Sequence, residues 1–112
     1  VSDVSRFLET HTVDGLYVTD DRLLAGVYEA LTKHSMRPGI DIAVIAQSNK
    51  NIPLAPNDIR WSRMEFDPTS IGRCVAQRLL QLLEHAGTPN SSIAIHPTWI
   101  PGDTHSFPQQ TR

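Results

Sequence analysis

Residues 42–46 read Ile-Ala-Val-Ile-Ala, an apolar run with no polar residue to break it. Successive side chains of a strand point to opposite faces. A strand apolar at every position is therefore expected to be covered on both faces, as in a parallel sheet clad by helices. The flanking sequence supplies candidates for those helices. Leu23, Leu24, Val27, Tyr28 and Leu31 recur at helical spacing, which predicts a helix over 21–34. Arg37-Pro38-Gly39 breaks it. Upstream, Asp3 is placed to cap a short helix carrying Val4, Phe7 and Leu8 on one face and ending near His11. Asp14-Gly15 makes a turn, and Leu16 to Thr19 reads as a strand.

Downstream, QSNKNIPLAPNDI (47–59) reads as a long polar loop, a kind often functional in compact domains. A short strand is expected near Trp61 to Phe66. Asp67-Pro68 gives an N-cap followed by proline at the first helical position. The helix it opens carries Ile71, Val75, Leu79, Leu82, Leu83 and Ala86 on one side; Gly87 stops it and Pro89 follows. Ser92 to Ile95 is expected to be the last strand. The segment after it, interrupted by Pro97 and Pro101, reads as an edge or crossover, and 106–112 as a tail without fixed structure. Helix and strand alternate, so the expected class is α/β with an open, mainly parallel sheet and flanking helices.

Composition narrows function by exclusion. The 112 residues carry a net charge of −2, with no cluster of Lys and Arg to neutralise phosphates. Direct nucleic-acid binding by these residues is not expected. No apolar run approaches the roughly 20 residues of a membrane span. The one cysteine, Cys74, rules out an internal disulfide and falls on an apolar helical stripe, where it reads as a small packing residue. The chain does not begin with Met, and we read it as a fragment or a processed chain.

The chemistry-bearing feature is VTDDRL (18–23), where a strand runs into two carboxylates that open a helix. In open α/β sheets ligands bind beyond the carboxyl ends of the strands. The spacing places Asp21 to cap the helix and Asp20 to face the crevice, where a carboxylate can accept hydrogen bonds from two neighbouring hydroxyls of a polyol. The alternative reading, that both acids only cap and solvate the helix start, stays open. A magnesium or phosphoryl-transfer site would need another Asp at a second strand end, but the next strand ends Ala46-Gln47-Ser48-Asn49. His11, His34, His85, His96 and His105 show no metal-ligand spacing; only His96, near a crossover, is a candidate for a pocket. Trp61 and Trp99 read as packing residues. No nucleophile–base arrangement can be assembled, so neither catalytic residues nor a cofactor are expected.

The ordered set DGLYVTDDRLLAGVYEAL, RPGIDIAVIA, RWSRMEFDPTSIGRCVAQRLLQLLE and IHPTWIPGDTH resembles the last part of the effector-binding region of LacI/GalR-family bacterial transcription regulators. The resemblance runs over nearly residues 1–105. It implies a partial, type I periplasmic-binding-protein-like fold of two lobes with a small-molecule effector between them. Asp20 matches the family's effector-contacting Asn/Asp. Ser48 falls where many sugar-responsive members carry an effector-binding Asp, and Gln47 stands beside it, a departure from the usual pattern. Phe66 and Pro68 match a pocket-lining segment near a lobe crossover. The implied division puts 1–65 and 97–105 in an incomplete C-terminal lobe and 66–96 in the N-terminal lobe. A homodimer surface is implied on Leu24, Val27, Tyr28 and Leu31 and on Ile52, Pro53 and Leu54, with the loop residues the better candidates. The resemblance further implies a cytoplasmic protein that meets DNA only through a helix-turn-helix lying outside these residues. The alternative is a solute-binding protein of a sugar transporter, which shares the architecture but carries an export signal.

Overall fold

The computed structural model describes residues 2–85 and 92–106. Helix α1 spans Ser2–Thr10, so Asp3 sits inside its first turn rather than before it. Strand β1 spans Gly15–Val18. A 3-10 turn, Asp21–Leu23, leads into helix α2, Leu24–Lys33. Strand β2 runs Ala43–Asn49 and strand β3 Ser62–Phe66. Helix α3 covers Pro68–Glu84, and strand β4 is Thr98–Ile100. The strands form one sheet in the order β1-β2-β3-β4; the first three are parallel and β4 runs antiparallel to β3.

The pleat explains which side chains make the core. Val44 and Ala46 of β2 point to the face covered by α1 and α2, where they meet Val18, Leu24, Val27, Leu31, Ile42 and Trp61. Trp61, 1% exposed, packs as expected and donates its indole N–H to the Pro56 carbonyl at 3.1 Å. The expectation of cover on both faces is only half met. Register places Tyr17, Ile45 and Gln47 together with Met64 and Trp99 on the other face. There Tyr17 and Trp99 remain 52% and 42% exposed. The continuous apolar run thus carries the signature of a two-sided sheet, although its second face is open among the described residues.

Two expectations are corrected. Strand β2 continues through Gln47, Ser48 and Asn49, residues read above as the start of a loop, because β3 supplies ladder partners out to Phe66. Residues 92–95 are not a strand; the edge strand is Thr98–Ile100, within the proline-flanked segment. Prolines at 97 and 101 bracket an edge strand of three residues and so interrupt no ladder position. Beyond β4 the chain locks into the sheet. Thr104 fills the slot beside Val44 that β3 does not reach: the Val44 N–H donates to the Thr104 carbonyl, and the Thr104 hydroxyl donates to the Val44 carbonyl at 2.7 Å. The Ser62 N–H donates to the Thr104 hydroxyl at 2.9 Å. Gly39, at φ +81°, lies against Asp103 so closely that a Cβ would run into its carbonyl oxygen.

Asp67 caps α3 as expected, accepting from the Thr69 and Ser70 N–H groups. The stop at Ala86, Gly87 and Pro89, and the tail from 107, lie outside the described residues. No side chain of α3 is buried. Val75, Leu79, Leu80 and Leu83 are all more than half exposed, and half-buried Cys74 lines a shallow apolar groove with Ile93 and Ile95. The chain leaves the sheet at Phe66 and re-enters at Thr98, beside Glu65 in the ladder, so both crossings occur at one edge.

Candidate ligand site at the strand ends

Beyond the carboxyl ends of β1 and β2 lies an open cavity of about 450 Å³, lined by Thr19, Asp20, Asp21, Arg22, Gln47, Asn49 and Ile52. It is where an open parallel sheet places a ligand. The two carboxylates take different jobs: Asp20 lines the cavity as expected, but the capping role read for Asp21 falls to Asp20 as well. Asp20, not Asp21, caps the helical turn: it has extended backbone and its side chain accepts the Arg22 N–H at 3.0 Å. The same carboxylate grips the Arg22 guanidinium side-on, with Nε at 3.1 Å and Nη2 at 2.8 Å. These hydrogen bonds from Arg22 hold the Asp20 carboxyl down at about 2, against an ordinary value of 3.8. Asp20 still lines the cavity, as a charge already balanced by Arg22. Asp21 is then the unbalanced charge among the lining residues, and the Asn49 side-chain N–H₂ donates to its Oδ2 at 3.4 Å.

Strand parity decides the rest. Gln47 and Asn49 lie on the cavity side of β2, and the Tyr17 hydroxyl donates to the Gln47 Oε1 at 3.4 Å. Ser48 shares the parity of Val44 and Ala46. It is 2% exposed, does not line the cavity, and its hydroxyl has no hydrogen-bond partner. Its expected ligand contact is therefore not formed in this arrangement. Phe66 is half-buried and pairs with Asn49 in the ladder, one strand away from the cavity wall. Pro68 is exposed at the start of α3. Sequence reasoning missed Asn49 and Arg22. Asn49 was legible by counting in twos from Ile45 through Gln47; Arg22 is recognisable only once the turn after Asp20 is known.

The expected dimer residues divide. Leu24 and Leu31 are 0% exposed and Val27 7%; all three belong to the chain's own core, because that stripe of α2 faces the sheet. Tyr28 is half-buried, edge-on to Trp61 with ring centres 6.0 Å apart. Ile52 and Pro53 are exposed, and Leu54 is half-buried against the core. The histidines stand apart from the cavity: His34 Nε2 meets the Ser5 hydroxyl at 2.9 Å, His105 Nδ1 meets the Ser62 hydroxyl at 2.7 Å, and His96 is exposed. Among the described residues no group of His, Cys, Asp or Glu is placed to hold a metal. No helix there is long and apolar enough to cross a membrane.

A mainly parallel sheet with a polar cavity past its strand ends is the framework of a small-ligand binding domain. Residues 3–105 match the model of the periplasmic binding protein-like domain, and the chain belongs to that family. It is also similar to the crystal structure of a LacI family transcriptional regulator from Arthrobacter sp. FB24 in complex with lactose. That likeness has a TM-score of 0.70 and 28% identity over 94% of this chain and 40% of that one. The chain thus spans well under half the length of that relative. Curated proteins give no significant match. The family is one of binding domains, not enzymes, and the LacI-type resemblance read from the sequence is the one the structure finds.

Proposed function

We propose that this chain is the effector-sensing part of a longer, cytoplasmic LacI-type transcription regulator, and that it takes a small sugar-like ligand at the ends of β1 and β2. The observation that carries the reading is the cavity formed by Asp20, Asp21, Gln47 and Asn49 in a chain whose structural relative was solved with lactose. A carboxylate flanked by side-chain amides suits a polyol, whose hydroxyls both donate and accept. Asp20 holds Arg22 and the helix start in place; Asp21 accepts ligand hydroxyls directly. Phe66 and Pro68, next to the crossing out of the sheet, approach the ligand when the lobes close. Because the chain leaves and re-enters at neighbouring positions of β3 and β4, one lobe can turn on the other about a narrow strap. A ligand that binds the closed arrangement better shifts the population toward it, and DNA affinity elsewhere in the protein follows. The homodimer forms through the loop after β2, where Ile52 and Pro53 are exposed.

The test uses the full-length gene product. Calorimetry with lactose is expected to show binding. Asp21→Ala is expected to weaken it by about tenfold or more, the worth of a hydrogen bond to a charged group. Genomic DNA fragments retained by the protein are expected to be released or gripped more tightly when lactose is added, and light scattering is expected to give a dimer. A full-length protein that retains no DNA and carries an export signal would instead be a transporter's solute-binding protein.

A further inference from the structure

The hydrogen-bond polarity of the cavity says more about the ligand than its shape does. One N–H of the Asn49 side-chain amide donates to Asp21, and its carbonyl oxygen is left as an acceptor. Asp21 is an acceptor as well. Gln47 is the opposite case: its Oε1 accepts from the Tyr17 hydroxyl, which leaves its N–H₂ as the free end. One part of the wall therefore accepts and another donates. Asp20 is already paired with Arg22, so the unbalanced charge of the lining is the Asp21 carboxylate, which disfavours an anionic ligand. Ile52, 53% exposed, is the apolar member of the lining.

We propose that Gln47, oriented by Tyr17, makes this site selective for an uncharged polyol that also carries an acceptor-only oxygen beside a small apolar group, as an N-acetylated sugar does. Hydroxyls meet Asp21 and Asn49, the acetamido carbonyl accepts from Gln47, and the acetyl methyl lies against Ile52. A carboxylate sugar offers the same acceptor oxygen to Gln47 but brings a charge that Asp21 repels. An amine offers a cation to Asp21 but nothing for the Gln47 donor. Tyr17 is a positioning residue: it touches Gln47, not the ligand.

This inference rests on the sugar-binding reading above, and the experiment separates the two. Calorimetry on the full-length protein compares lactose with N-acetyllactosamine, a pair that differs in the acetamido group. N-acetyllactosamine is expected to bind at least about tenfold tighter, the effect of one good hydrogen bond plus methyl burial. Gln47→Glu replaces the donor with an acceptor and is expected to abolish that preference. Tyr17→Phe frees the amide to turn over and is expected to shrink the ratio several-fold with little change in lactose affinity, a pattern that general loosening of the fold does not produce. Equal binding of the two sugars, or a preference that survives in Gln47→Glu, overturns the inference and leaves the sugar-binding reading standing. Binding of neither sugar to the folded wild-type protein overturns the sugar-binding reading, and the inference with it.

Discussion

Replacing Thr104 with valine keeps the side chain's shape and removes one hydroxyl. That hydroxyl is 1% exposed as a residue, donates to the Val44 carbonyl at 2.7 Å and accepts the Ser62 N–H at 2.9 Å. The substitution leaves a carbonyl on β2 and an amide on β3 without that partner, in a place water does not reach. Each buried polar group left unsatisfied costs about 1–3 kcal/mol. Two such groups, partly relieved by relaxation, give an expected loss of roughly 3 kcal/mol. Against a domain stability of roughly 5–15 kcal/mol that is a large fraction. Urea unfolding followed by far-ultraviolet circular dichroism measures it in the 112-residue chain. Thr104→Ser is the control: it keeps both hydrogen bonds and loses one methyl, worth about 0.8 kcal/mol. Hydrogen exchange at the Ser62 amide is expected to speed up in the valine variant and stay slow in the serine one. A valine variant no less stable than the serine variant would refute the claim that Thr104 ties the last described segment into the sheet.

Three further outcomes follow from other parts of the molecule. In Arg22→Gln the Asp20 carboxyl, held at about 2 mainly by hydrogen bonds from Arg22, is expected to titrate closer to its ordinary value, read by carboxyl-carbon NMR; no change would mean the ion pair does not form in solution. Since the folded value is the lower one, the contribution of Asp20 to stability is present above about 3.8 and is lost as pH falls through about 2. Leu24→Ala, at a site 0% exposed, is expected to cost about 2–5 kcal/mol in urea unfolding, whereas a surface role for Leu24 in dimerisation would leave the isolated chain nearly unchanged. Gly39→Ala is expected to destabilise by roughly 1–3 kcal/mol, because Gly39 has φ +81° and a Cβ there meets the Asp103 carbonyl; a neutral effect by thermal melting would show that this close approach is not kept.

The LacI-type resemblance was carried by an ordered set of short motifs, and the family match to residues 3–105 supports it. Asp67-Pro68 announced α3, because capping and proline geometry are local. The apolar periodicity of 23–31 announced α2, because an amphipathic stripe repeats within one helix. Helices and parallel strands were therefore legible where a few consecutive residues settle the matter. The strand ends were not. Whether β2 stops at Ala46 or runs to Asn49 depends on partners supplied by β3, and those partners lie at positions 62–66. That extension moved Ser48 into the core and brought Gln47 and Asn49 to the cavity, since a pleated strand gives alternate residues to opposite faces. The same holds for Asp20 and Asp21. Two adjacent carboxylates before a helix are equivalent candidates in sequence, and only the path of the turn decided that Asp20 caps it and Asp21 meets Asn49. Local propensity and periodicity determined the elements and their order; ladder register and the direction of each side chain, which depend on residues distant in the chain, decided which polar groups share the cavity.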